Sequence, residues 1–223
     1  MQGKRHWSNL HVLPADMDRK SIEHVMHGFT RALGVGCSHC HARDPENPKA
    51  LDHSLDDKES KEVAREMMRM TQAINSEFLT KTGRADLREV TCETCHRGHT
   101  RPQTLLQALQ ETMESSRPDS VMQEYRRLRK EFYGRAGYDF GERAIWPIAR
   151  HFTEAGENGV AEALLRLNAE NYSESFGTYL ELGFLLENKG ERDGAIQSFE
   201  KALKLEPQAK FIEERIEKLQ GQD

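Results

Sequence analysis

Apolar residues recur at helical spacing along most of the chain. From Arg19 to Leu33 they fall at Ile22, Met26, Phe29 and Leu33, one face of a helix. Asp18 is placed to cap its start, and Gly34 and Gly36 stop it. Residues 42–57, with Asp44-Pro45-Glu46-Asn47-Pro48, read as a loop. A second helix is predicted from about Ser60 to Leu79, its stripe formed by Val63, Met67, Met70, Ile74 and Phe78 and its end marked by Thr82-Gly83. After Arg101-Pro102, Leu105–Met113 and Val121–Tyr133 read as two more helices, the latter heavily charged on what is taken as a solvated face. Gly134 to Tyr138 reads as a hinge.

The last third repeats. Tyr179, Leu182, Gly183, Leu186, Gly190, Ala195, Phe199, Ala202 and Pro207 fit the tetratricopeptide pattern, and a weaker copy lies 34 residues earlier, at Ile145, Ile148, Ala149, Phe152, Gly156, Ala161 and Leu165. Small residues at Ala149, Ala161, Gly183 and Ala195 suit helices that cross closely. Residues 210–220 would cap the stack. The pattern predicts an all-α chain in three parts: residues 1–103, a helical connector over 104–138, and a tetratricopeptide repeat domain with a capping helix over 139–223.

Composition changes this picture little. At 223 residues, 31% charged and 36% hydrophobic, the chain is lean in core-forming side chains. Its net charge of −5 gives no reason to expect nucleic acid as a partner. The acidity lies in the second half: residues 1–103 carry 16 basic and 15 acidic side chains, the remainder 16 and 22. No apolar run is long enough to span a bilayer.

The cysteines change it a great deal. All four lie in two C-x-x-C-H stretches, Cys37-Ser38-His39-Cys40-His41 and Cys92-Glu93-Thr94-Cys95-His96. Two thiols one helical turn apart can add to the two vinyl groups of one porphyrin, and the adjoining histidine reaches the iron from the same side. A zinc ribbon places its pairs closer together than Cys40 and Cys92, a thioredoxin-like dithiol needs a βαβ unit, and a disulfide framework gives no reason for His41 and His96. The expected cofactors are therefore two covalently bound haem c groups, on Cys37, Cys40 and His41 and on Cys92, Cys95 and His96. Each attachment stretch follows a helix that offers a sixth ligand. Met26 lies mid-stripe before the first. Met67 and Met70 share a face before the second, with Met68 turned about 100° away from Met67. His24 and His27 compete near the first haem but lie off the stripe. Under bis-histidine coordination His53, His99, His6 and His11 become candidates, the last two reaching over from a neighbouring molecule.

Several stretches resemble the cytochrome c subunit of photosynthetic reaction centres: Asn9-Leu10-His11-Val12-Leu13-Pro14, Met26-x-x-Phe29, Leu33-Gly34-Val35-x-Cys37, Ala64-Arg65-x-Met67-x-x-Met70-Thr71-x-Ala73-Ile74-Asn75, and Val90-Thr91-Cys92-x-Thr94-Cys95-His96-Arg97-Gly98. The resemblance covers about residues 9–103. It implies that the helix before each attachment stretch supplies a methionine to iron: Met26 for the first haem and Met67 for the second, with Met70 as runner-up. From the residues themselves, His27 stays the alternative for the first. Subunits of that family carry four haems and this sequence has motifs for two, so a bound reaction centre is not implied. The expected function is electron transfer by a diheme c-type cytochrome, with redox proteins or further copies of the chain as partners docked by the repeats. A polymeric cytochrome forming a conducting filament is one alternative, and a diheme peroxidase, which needs a displaceable sixth ligand, is another. Thioether attachment in this class takes place outside the cytoplasm, so the chain is expected in the periplasm, at the cell surface or outside the cell. Residues 1–7 contain no signal-peptide stretch, and an export signal is expected to precede this sequence or to have been removed.

Overall fold

The computed structural model describes residues 7–221 and is mostly helical. The chain divides into two compact units, up to Gln103 and from Thr104 onward.

In the first unit, helix α1 spans Arg19–Leu33. The Asp18 carboxylate accepts from the Ser21 N–H at 3.1 Å and from its hydroxyl at 2.5 Å. These bonds hold the carboxyl below the ordinary carboxylate range. Gly34, left-handed at φ 67°, turns the chain out of the helix. The segment read as a loop instead contains a short hairpin: β1 (Ala42–Arg43) pairs antiparallel with β2 (Leu51–Asp52). Its turn is built from Asx-type bonds, Asp44 accepting from the N–H groups of Glu46 and Asn47. Helix α2 covers Glu59–Ala73 and passes into a π-helical turn over Ile74–Leu79. That turn rotates Asn75 so that its amide donates to the Val90 carbonyl at 2.9 Å and accepts from the Val90 N–H at 2.8 Å. A single-turn helix, α3 (Cys92–His96), follows behind a Thr91/Thr94 capping box.

Among the described residues of this unit, Ala32 and Ala42 are the buried apolar side chains. Large ones stay open: Val63, Met67, Met70 and Phe78 are 38–58% exposed. A buried arginine, Arg65, anchors an ion network whose acids stay partly exposed. Arg65 donates to Asp56 at 2.8 and 3.1 Å, to Glu62 at 2.6 Å and to the Asn9 side-chain oxygen at 2.9 Å. Lys61 adds a bond to Asp56 at 3.0 Å. Arg65 first, then Asn9, hold the Asp56 carboxyl far below the ordinary carboxylate value. A depressed folded-state pKa stabilises fully above the unfolded carboxylate value and loses that contribution as pH falls toward the depressed one. The first unit should therefore melt progressively lower as pH drops below about 4. Asp56→Asn should flatten that part of the Tm-against-pH curve, and an unchanged curve would count against the network.

The second unit has an ordinary core. Helices α4 (Leu105–Ser115), α5 (Pro118–Phe132), α6 (Ile145–Glu154), α7 (Asn158–Asn171), α8 (Phe176–Asn188), α9 (Arg192–Leu205) and α10 (Lys210–Gln220) bury Leu109, Tyr125, Ile145, Leu164, Leu186, Phe199 and Ile212 together. The segment expected as a connector thus shares this core through α4 and α5. Successive helices pack as neighbours, α6 on α7, α7 on α8 and α8 on α9. Ala149, Ala161, Gly183 and Ala195 are buried where they cross. Thr178, fully buried, accepts from the Trp146 indole N–H at 3.0 Å and the Asn168 amide at 2.7 Å, which ties α6, α7 and α8 together. No helix among the described residues is long and apolar enough to cross a membrane.

Candidate haem sites

Cys37–His39 form one tight 3₁₀ turn, in which the N–H groups of Cys40 and His41 both bond back to the Cys37 carbonyl, at 3.2 and 3.0 Å. The start of α2 clamps this turn: Ser60 Oγ donates to the His39 carbonyl and Lys58 Nζ to the Ser38 carbonyl, each at 2.7 Å. His41 is buried, and its Nδ1 meets no protein hydrogen-bond partner. Burial, then the neighbouring His53 and Lys61, push its pKa down. The shift favours the neutral ring, the form that ligates metal.

At the second stretch, the α3 turn brings His96 Nδ1 to 2.8 Å from the His99 carbonyl. A carbonyl only accepts, so Nδ1 carries the proton and the Nε2 lone pair is left for a metal. The Gly98 N–H donates to the Ala32 carbonyl at 2.8 Å, which fastens this stretch to the end of α1. Burial pushes the Cys92 thiol up. All four cysteines are free thiols. Among the described residues no three His, Cys, Asp or Glu side chains converge as a metal-ligand cluster, so the two C-x-x-C pairs do not gather around a common zinc position.

Each stretch borders its own cleft. The first, about 500 Å³, is lined by Met26 and Phe29 of α1, Cys40, His41, and Ala64 and Met68 of α2. The second, about 830 Å³, is lined by Leu33, His39, Val63, Met67, Cys92 and His96. Both volumes include space open to solvent. Phe29, Cys40 and Ala64 line both, so the two clefts share a wall. Met26 thus shares a cleft with His41, and Met67 with His96. Met70, 46% exposed, and the exposed His27 line neither. His53 lies against His41, and the His99 carbonyl serves His96; both histidines sit next to the attachment histidines. His11 lines the first cleft, and His6 lies outside the described residues.

Two lining residues escaped the sequence reading. Met68 reaches the first cleft because its 100° offset from Met67 points the adjacent methionines to opposite clefts. His39 lines the second cleft although it belongs to the first attachment stretch, a placement only the folded chain reveals. The residues fit haem c: free thiols in pairs, a buried imidazole beside the first pair, an imidazole already fixed in the metal-binding tautomer, and apolar walls.

The model of the family described as the photosynthetic reaction centre cytochrome C subunit matches residues 2–134, which carries the likeness beyond residue 103 through α4 and α5. No curated protein matches the chain.

Proposed function

The chain belongs to the photosynthetic reaction centre cytochrome C subunit family, and on that premise we propose that it is a diheme electron carrier. The observation that carries this reading is the contrast between the two units. The second buries a continuous apolar core. The first has almost none, and instead directs Val63, Met67, Phe29 and Leu33 toward two clefts that end at Cys40/His41 and Cys92/His96. A porphyrin in each cleft covers that surface and takes the place of a side-chain core.

Cys37 and Cys40 would hold one haem by thioether bonds, and Cys92 and Cys95 the other. His41 and His96 would supply one axial nitrogen to each, Met26 and Met67 the opposing sulfurs. When bound, haem supplies a one-electron Fe(III)/Fe(II) couple whose potential a methionine ligand raises. Phe29 and Ala64 line both clefts. No displaceable sixth ligand is needed, and the chain acts as a carrier outside the cytoplasm. The α6–α9 pairs with α10 we read as tetratricopeptide-type repeats that dock redox partners or further copies of the chain.

A pyridine haemochrome assay with intact mass should count two covalent haems per chain. Zinc without porphyrin would overturn the reading. Met26→Ala and Met67→Ala should each open one iron to carbon monoxide while the other keeps its spectrum, and Met70→Ala should open neither. Spectra unchanged by Met26→Ala and Met67→Ala would point to histidine at the sixth position.

A further inference from the structure

The two attachment histidines are held in different ways. His96 gives its Nδ1 proton to a backbone carbonyl, that of His99, at 2.8 Å. His41 Nδ1 is buried and has no such acceptor. A buried N–H left without a partner is costly, so what packs beside it matters. That neighbour is a second imidazole: the His41 and His53 ring centroids lie 4.6 Å apart, edge to face at 64°.

The hairpin explains the encounter. Its register pairs Ala42 with Asp52 and Arg43 with Leu51. Continued one step outward, the same register sets His41 opposite His53, and residues opposite each other in an antiparallel pair have adjacent side chains. His53 is also fixed through its own backbone. Its carbonyl accepts from Lys61 Nζ at 2.9 Å, and the flanking Asp52 carboxylate accepts from the Ser54 N–H at 2.7 Å. Two imidazoles in direct ring contact leave no room for an iron between them, so His53 would support His41 rather than ligate opposite it.

We propose that His53 is the positioning residue of the first haem: its ring nitrogen accepts the Nδ1 proton of His41 and so holds the tautomer that turns Nε2 to iron. The inference rests on the haem reading given above. It requires one ring to turn about its Cβ–Cγ bond within the existing contact. The two haems then differ in their support, an imidazole behind one axial histidine and an amide carbonyl behind the other. A nitrogen acceptor withdraws the proton more strongly than a carbonyl, makes His41 the more basic ligand and favours Fe(III) at the first haem.

The test uses the full chain with both haems bound. His53→Phe keeps a ring in place but removes the acceptor, whereas His53→Gln keeps an acceptor. In spectroelectrochemistry His53→Phe should raise one midpoint potential by an amount equal to about a tenfold change in Fe(III)/Fe(II) preference, ~59 mV for one electron. The other potential should stay fixed, and His53→Gln should restore most of the shift. Equal shifts in both variants, or none in His53→Phe, would reduce His53 to packing and overturn the proposal. Because a variant can lose its haem for other reasons, the unaltered reduced protein gives a second reading. A coupling across N–H···N between His41 and His53 in ¹⁵N-histidine NMR supports the proposal, and its absence overturns it. Haem bound at Cys37 and Cys40 with no such coupling sinks this inference alone. No porphyrin on the Cys37–Cys40 peptide sinks the haem reading and this inference with it.

Discussion

Changing Cys92 and Cys95 together to alanine should remove the mass of one haem from the protein and leave the other covalently bound. The pairs are independent in sequence, and Cys92 and His96 border a cleft that His41 does not line. The loss should reach well beyond the cofactor. Apolar surface is worth roughly 2.5 kcal/mol per 100 Å² removed from water, and the second cleft presents Val63 and Met67 at 48% and 38% exposure. With little side-chain core to fall back on, the first unit should melt far lower, while the second, with its own core, should melt unchanged. Calorimetry would then resolve two transitions where the unaltered protein shows them closer together. An intact mass that does not fall by one haem would defeat the assignment of this pair.

How much of this was legible in the sequence follows from how local each signal is. Helix α1 was readable at both ends because its cap and its stop are single residues, Asp18 and Gly34. The two C-x-x-C-H stretches stand out because the chemistry they suit fixes their spacing. The hairpin does not. Two strands of two residues each carry no period, and Asp44 and the prolines around it signal only a turn. The π turn after Ala73 was equally silent, since Ile74 and Phe78 continue the helical stripe through it. The role of Arg65 depends on Asn9, 56 residues away, meeting it beside Asp56. The partition of Met67 and Met68 between two clefts needed the position of α2 relative to both attachment stretches. The fold class was written in the residue pattern; the pairing of groups across the clefts was written in tertiary geometry.

The shared wall has a functional consequence for such a carrier. Phe29, Cys40 and Ala64 face both clefts, so a thioether carbon on Cys40 would belong to one cofactor and touch the surroundings of the other. A change at Phe29 should therefore be felt at both clefts, whereas a change that touches one cleft alone should not.

The second large effect is expected from one glycine. Gly34 sits at φ 67°, a conformation that costs a residue with a Cβ about 1 kcal/mol or more. A Cβ there would also lie 2.3 Å from the carbonyl oxygen of Gly98 and 3.1 Å from its carbonyl carbon. Backbone cannot rotate out of the way as a side chain can, so the end of α1 and the residues after His96 must separate. The bond from the Gly98 N–H to the Ala32 carbonyl, 2.8 Å, goes with them. Strain, clash and the lost bond together should make Gly34→Ala cost about 3 kcal/mol or more, a large share of a domain's usual margin. The damage should be seen at the second haem, because His99, whose carbonyl fixes His96, follows Gly98 directly. Gly36→Ala is the control: its φ is −90° and nothing lies within 4 Å of its Cβ. Thermal unfolding of the first unit and the potential of the second haem should both shift in Gly34→Ala and hold in Gly36→Ala. Equal stability of the two variants would show that the close approach of α1 to Gly98 is not what fastens the second attachment stretch in place.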